Sequence, residues 1–330
     1  ASRVDAFRDV PGERLLAGLR GKDVVIAFVE SYGRDAVEDP GFAAPVDAVL
    51  DSGTRELHTA GFATRSAFLT SPTAGGGSWL AHATLLSGLW VDNQRRYVDF
   101  VSGDRLTLVG AFRRAGWRAV GVMPANTFDW PEAAFFGYHR VYDAHALGYR
   151  GPRFGFSTMP DQYALAAFHR LEYGTAHRGP LFAQLNLTSS HSPWTPLPEY
   201  VDWAALGDGT VFGPMARRGD PPEVLFQDSA KVRAAYASSV AYSLRSLVSF
   251  VQRYGDEDLV LLVVGDHQPA PVVTGANASR DVPVAMIAHD PAVLDRISGW
   301  GWQDGLNPGP TAPVWPMDSF RDRLLSTFER

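Results

Sequence analysis

The chain has 330 residues, 45% hydrophobic and 20% charged, with a formal net charge of −6. That composition supports an ordinary globular core, and with no block of basic residues to track a phosphate backbone it argues against nucleic-acid binding. Having no cysteine excludes disulfides, thiolate catalysis and cysteine-ligated zinc, and no run approaches the ~20 apolar residues of a membrane helix.

Residues 1–20, broken at Pro11-Gly12, read as a lead-in or stalk before a single α/β domain over 21–330. Asp23–Val29 has the continuous apolar character of a strand buried on both faces. It runs directly into Glu30-Ser31-Tyr32-Gly33, which places an acid at a strand end. A short helix is expected at Pro45–Leu50 and a strand at Arg65–Leu69. Gly75, Gly76 and Gly77 then precede Ser78, which caps or opens a helix reaching about Leu86. Glycines allow close backbone approach, and a helix start favours an anion, although such a run also serves as a flexible loop.

Asp104–Gly116 reads as an amphipathic helix and Arg118–Met123 as a strand. Residues 127–142 form an aromatic loop holding Trp130, Phe135, Phe136 and Tyr138, followed by helix over Asp161–His177. The strand Leu181–Leu187 ends in Thr188-Ser189-Ser190-His191-Ser192-Pro193. After a Pro/Gly-rich loop over 196–222 comes the longest helical pattern, Asp228–Tyr254. Leu259–Gly265, with six consecutive apolar residues, is a second fully buried strand, and Asp266-His267 follows it at once. Val282–Ala288 is a further strand, and a helix near Asp318–Phe328 ends the chain.

Strands alternating with helices predict a doubly wound, mainly parallel sheet flanked by helices. In such a sheet the strand ends share one edge, so Glu30, His191, Asp266 and His267 can meet although far apart in sequence. Two carboxylates, an imidazole and the Ser78 hydroxyl form a donor set for one divalent ion, Zn, Mn or Mg. A hydroxyl held by such an ion becomes a nucleophile near neutral pH. Thr73, Thr84 and Ser87 compete with Ser78, whereas His82 and His289 read as structural. Each candidate has a plainer reading: a polar turn for Asp266-His267, a loop acid for Glu30, a loop-stabilising imidazole for His191.

Across residues 23–290 these segments resemble the alkaline phosphatase/sulfatase superfamily, nearest to its lipoteichoic acid synthase and phosphoethanolamine transferase branch. The strand-then-Glu at Glu30 resembles that branch's first metal ligand, and Ser78 with Leu85-Leu86-Ser87-Gly88 its nucleophile helix. Thr188–Pro193 resembles the histidine-bearing substrate loop, Tyr236–Phe250 the helix before the last strand, and Gly265-Asp266-His267 the final ligand pair. The resemblance implies an extracytoplasmic catalytic domain at the outer face of a bacterial membrane, joined to a membrane portion outside this chain. It implies that Glu30, Ser78, Asp266 and His267 hold a metal ion and that Ser78 is the nucleophile. His191 would bind phosphate or protonate the leaving oxygen, and Trp130 would touch the substrate. The implied partners are a phospholipid or other lipid-linked phosphodiester, with a glycerophosphate or phosphoethanolamine group, and an alcohol or water acceptor. This chain departs from the branch in having Ser where Thr is usual and in lacking a basic residue at Trp130–Glu132. Ser78 is followed by Trp-Leu-Ala-His, so the formylglycine-forming pattern of a sulfatase is missing. The competing readings are a catalytically silent cell-envelope binding module and a sulfatase-like ester hydrolase.

Overall fold

Continuous apolar runs place two strands at the centre of the fold. The computed structural model describes residues 4–329. Its strands are β1 (Asp23–Val29), β2 (Ala63–Thr70), β3 (Arg118–Val122), β4 (Arg140–Tyr142), β5 (Leu181–Leu187), β6 (Leu259–Gly265), β7 (Asp281–Ala288), β8 (Gln303–Asp304) and β9 (Val314–Pro316). They form one sheet in the order β4-β3-β5-β1-β6-β7-β2-β8, with β9 beside β2. Every residue of β1 and β6 is buried.

From β4 to β6 all pairings are parallel. β7 then runs antiparallel to both β6 and β2. The sheet is thus doubly wound and mainly parallel, with an antiparallel flank whose direction the apolar pattern does not encode.

Alternation within each strand divides the core in two. Val25, Ala27, Val29, Leu261 and Val263 face the helices Ala44–Thr59 and Ser229–Tyr254. Val24, Ile26, Phe28, Val260, Leu262 and Val264 face the helices Ser78–Ser87, Leu108–Arg114 and Phe320–Thr327. Each fully buried aliphatic side chain contributes about 1.5–3 kcal/mol of transfer free energy.

Local chemistry explains where elements depart from expectation. The helix expected at Pro45–Leu50 extends over Ala44–Thr59, with Pro45 in the first turn, where a missing N–H costs nothing. The helix expected from Asp104 starts only at Leu108, because the Thr107 side chain accepts from Gly110 N–H and caps it. The Asp161–His177 span is helical to Phe168 and then widens into a π turn over His169–Tyr173. Of the expected lead-in, residues 4–20 pack on the sheet: Phe7, Leu15, Leu16 and Leu19 are buried in the second core. Asp5 pairs with the buried Arg321 at 2.7 Å. Residues 1–3 of that segment, and residue 330 of the expected domain, lie outside the described residues. Among the described residues no helix is long and apolar enough to cross a membrane.

Register sets the site. Val29 lies level with Leu187 of β5 and with Gly265 of β6. The residues that follow, Glu30, Thr188 and Asp266, therefore leave the sheet side by side at its carboxyl edge, where open α/β sheets bind ligands.

Candidate active site

Asp266 is the pivot of the cluster. Its Oδ1 accepts the backbone N–H groups of Ser31 (2.8 Å) and His267 (2.7 Å), which fixes the carboxylate. Its Oδ2 is buried and has no hydrogen-bond partner. Ser31 is in the left-handed region, φ +56°, and is held there from three sides. Its N–H reaches Asp266, its hydroxyl donates to Glu30 Oε1 at 3.0 Å, and its carbonyl accepts the Tyr236 hydroxyl at 2.7 Å.

Ser78 arrives from another direction. Gly75, Gly76 and Gly77 have φ of +72°, +149° and +80°, values that side chains rarely adopt, so the turn requires glycine. Gly75 N–H donates to the Gln268 carbonyl (2.8 Å), tying the turn to the segment after β6. Gly77 is the N-cap and Ser78 the first helical residue, with its hydroxyl free of a capping bond. Ser78 Oγ donates to Glu30 Oε2 at 2.9 Å and lies 3.1 Å from His267 Nε2. His267 Nε2 is also 3.3 Å from Glu30 Oε1.

The donor chemistry fits a divalent cation. Glu30, Asp266 and His267 each offer a ligand atom, all within 4.8 Å of one another and all buried. His267 Nδ1–H donates to the Gln268 carbonyl (2.8 Å), so in the neutral ring Nε2 presents its lone pair to the cluster. The unpartnered Asp266 Oδ2 is the kind of orphan that a cation satisfies.

Packing these groups together shifts their protonation. For Glu30, burial favours the neutral acid, but the hydrogen bond to His267 and the charges of His267 and His191 win and hold it far below the usual carboxylate range. Burial and the neighbouring Glu30 charge push Asp266 up. For His267, burial acts downward, yet Asp266 and Glu30 raise it to about 10. A positive charge is thus favoured among the carboxylates.

His191 enters through the loop after β5. Its Nδ1–H donates to the Ser192 carbonyl (2.6 Å), and Phe156 stacks on its ring at 3.8 Å between centroids. Ser190 Oγ donates to the Glu30 carbonyl (2.5 Å), so this loop is joined to the end of β1. Asp161 anchors it from below, accepting the N–H groups of Thr188 (2.7 Å) and Ser189 (3.0 Å) and the Ser243 hydroxyl (2.5 Å).

Glu30, Ser78, His191, Asp266 and His267 line one cavity of about 460 Å³. Trp130 lies instead in an adjoining cavity of about 330 Å³, with Tyr97, Phe136 and Tyr138. Thr84 Oγ1 is committed to Val91 and Ser87 Oγ to Leu89 N–H, and neither lines a cavity with Ser78. Thr73 also lies outside that lining. His289 packs on Phe62, away from the site.

His82, which reads as structural in the sequence, lines both cavities. Its Nε2 is buried without a hydrogen-bond partner, 3.8 Å from Asp266 Oδ2. Burial lowers its pKa to about 3, which keeps it neutral. Asn186 Nδ2 lies 3.5 Å from its Nδ1, placing the ring proton on Nε2. Two signals were available: His82 is one turn after Ser78 on the same helix face, and Asn186 is one of two polar residues, with Gln184, in a mainly apolar strand.

No family model matches the chain, and no curated protein matches it in sequence. Solved structures match it in fold. The lipoteichoic acid synthase LtaP from Listeria monocytogenes superimposes with a TM-score of 0.58 at 14% identity, over 96% of this chain and 74% of that one. A protein in the alkaline phosphatase superfamily from Vibrio parahaemolyticus gives 0.56 at 17% identity, over 94% and 67%. The soluble domain of lipooligosaccharide phosphoethanolamine transferase A from Neisseria meningitidis gives 0.57 at 14% identity, over 94% and 88%. With Asp266-His267 directly after β6 and the glycine turn delivering Ser78 beside them, the chain carries the fold of the alkaline phosphatase superfamily, in the form seen in lipoteichoic acid synthase and phosphoethanolamine transferase domains.

Proposed function

We propose that the protein is a metal-dependent phosphotransferase or phosphodiesterase acting through a covalent phosphoryl-Ser78 intermediate. One observation carries this reading: Ser78 Oγ lies 2.9 Å from Glu30 Oε2 and 3.1 Å from His267 Nε2, at a helix start and in the wall of the main cavity. A hydroxyl so placed has a proton acceptor and an anion-favouring helix end beside it. The residues that would hold one divalent ion, Zn, Mn or Mg, are Glu30, Ser78, Asp266 and His267. When bound, such an ion supplies Lewis acidity, lowering the pKa of a hydroxyl and offsetting phosphoryl charge.

The chain's own groups then account for both half-reactions. Ser78 Oγ–H gives its proton to Glu30 Oε2 and Oγ forms a bond to phosphorus as the bond to the leaving alcohol breaks. His191, whose Nδ1–H is fixed on Ser192, in its charged form donates from Nε2 to the leaving oxygen. An alcohol or water next attacks phosphorus, gives its proton to the now neutral His191 Nε2, and displaces Ser78 Oγ, which takes back the proton held on Glu30 Oε2. Trp130, in the adjoining cavity, contacts whatever extends beyond the reacting phosphate. The solved neighbours support a lipid-linked phosphodiester at the outer face of a bacterial membrane as substrate.

The test is Ser78→Ala. Turnover of bis-p-nitrophenyl phosphate should fall by several orders of magnitude, since no neighbouring group replaces the covalent step. Mass spectrometry after brief incubation with a phosphodiester should place an adduct on the Ser78 peptide of the parent protein. Wild-type turnover in the variant would sink the covalent mechanism, and absence of turnover in the parent protein would favour the silent binding module. Faster release from p-nitrophenyl sulfate than from the phosphodiester would favour the ester hydrolase.

A further inference from the structure

Two buried polar atoms face one another at the edge of the metal cluster, each with its hydrogen-bonding capacity unused. They are His82 Nε2 and Asp266 Oδ2, 3.8 Å apart, and neither has a hydrogen-bond partner. A hydrogen bond from N–H to a carboxylate is about 2.7–2.9 Å long, so the pair stands roughly 1 Å too far apart to make one. Orphaned buried polar atoms are rare, and here a group able to donate faces one that, when ionised, only accepts.

The strand beneath His82 sets which of its nitrogens carries the proton. Gln184 and Asn186 are two apart in β5, so their side chains leave the same face of the sheet as Phe182, the face covered by the helix Ser78–Ser87. Asn186 lies level with Phe28 of β1, and the His82 ring packs on Phe28 at 4.1 Å between centroids. Tyr138 donates to Gln184 Oε1, Gln184 Nε2 donates to Asn186 Oδ1 at 2.9 Å, and Asn186 Nδ2 faces His82 Nδ1 at 3.5 Å. The phenol at one end gives the chain a direction, each amide accepting on its oxygen and donating from its nitrogen. His82 Nδ1 therefore accepts, and the ring proton lies on Nε2, toward Asp266. Two amides in the sheet interior carry a desolvation cost that apolar residues would not; satisfied by one another, they also fix that proton.

We propose that His82 is a positioning residue for the metal site: its Nε2–H closes on Asp266 Oδ2 and holds that oxygen in place for the cation, with Tyr138, Gln184 and Asn186 fixing the tautomer that this contact needs. The inference rests on the cation proposed above at Glu30, Asp266 and His267. An ionised carboxylate oxygen has two lone pairs, so Oδ2 can meet a cation and accept an N–H at once. Oδ1 is already held by the N–H groups of Ser31 and His267, and with Oδ2 held as well the carboxylate is fixed at both ends. Outer hydrogen bonds of this kind raise metal affinity about 10- to 100-fold. His82 is one turn after Ser78, so the same contact ties the helix bearing the nucleophile to the end of β6.

The experiment combines zinc affinity with the protonation state of one ring. Affinity is measured by competition with a chelating dye for the parent, His82→Leu, His82→Gln, Asn186→Leu and the protein carrying both leucines. His82→Leu should weaken zinc binding about 10- to 100-fold, whereas His82→Gln, which keeps an N–H at similar reach, should stay within about threefold of the parent. Asn186→Leu should weaken it about tenfold alone and add nothing in the His82→Leu background, as members of one network do. Imidazole 15N NMR of the zinc-loaded parent should show His82 protonated at Nε2 and bare at Nδ1. Parent-like affinity in His82→Leu, a His82→Gln as weak as His82→Leu, or additive effects in the double variant would overturn the assignment. So would a His82 ring without its proton on Nε2, the signature of a direct metal ligand through that atom. The NMR measurement and His82→Gln decide the matter if His82→Leu does not fold. A parent that binds no zinc sinks the proposed metal itself, while a parent and a His82→Leu that bind it equally sink the role of His82 alone.

Discussion

At the scale of single residues, Asp266 does two jobs with its two oxygens. Oδ1 holds the backbone of Ser31 and His267, and Oδ2 is left unpartnered among Glu30, His267 and His82. Asp266→Asn keeps an oxygen for the two N–H groups but removes the charge that faces a cation. The variant should fold, yet its metal content after gel filtration should fall well below that of the parent, and added metal should no longer raise its melting temperature. Unchanged metal content would reduce Asp266 to a turn residue.

Elements decide how accurately those residues meet. Gly265, the last residue of β6, would place a Cβ 1.8 Å from the Tyr32 carbonyl. Gly265→Ala must therefore push away the turn that follows Glu30. It should cost about 1–3 kcal/mol in denaturant unfolding, as overpacking does, and weaken metal binding with it. Parent-like stability would show that the turn yields freely.

The loop carrying His191 depends on Asp161, which is buried and whose carboxyl is raised to about 6, chiefly by that burial. A raised folded pKa means that the folded state holds the proton more tightly than the unfolded chain, whose value is near 3.8. The associated stability is complete below that value and is lost as pH rises through about 6. Asp161→Asn, which resembles the protonated acid, should gain stability relative to the parent between pH 4 and pH 6.5. Urea titrations of both proteins at the two pH values check this; a constant difference would contradict it.

For the whole molecule, the metal site joins the ends of β1 and β6 to the helix Ser78–Ser87, and His191 adds the end of β5. A cation that binds only this assembled state stabilises all of it, by about 2.7 kcal/mol at a concentration one hundred times its dissociation constant. Chelation should lower the melting temperature by several degrees, and zinc or manganese should restore it. A melting curve indifferent to chelator would argue against a metal at Glu30, Asp266 and His267.

The sequence by itself determined the buried strands β1 and β6, since a continuous apolar run has no other use in an α/β domain. It also determined the order of the polar groups at the strand ends, because those groups follow the runs directly, and the turn before Ser78, because three glycines mark backbone that side chains cannot follow. Only the tertiary structure decided the antiparallel direction of β7, which depends on how the chain returns and leaves no trace in its apolar pattern. It alone separated Trp130 from the cavity over Ser78 and brought His82 to Asp266. His82 and Asp266 are 184 positions apart, and Asp161 and Ser243 are 82 apart. Contacts between such distant groups arise from strand register and helix placement, which no local periodicity carries, so a buried histidine and a buried acid acquire their roles only when the sheet edge assembles.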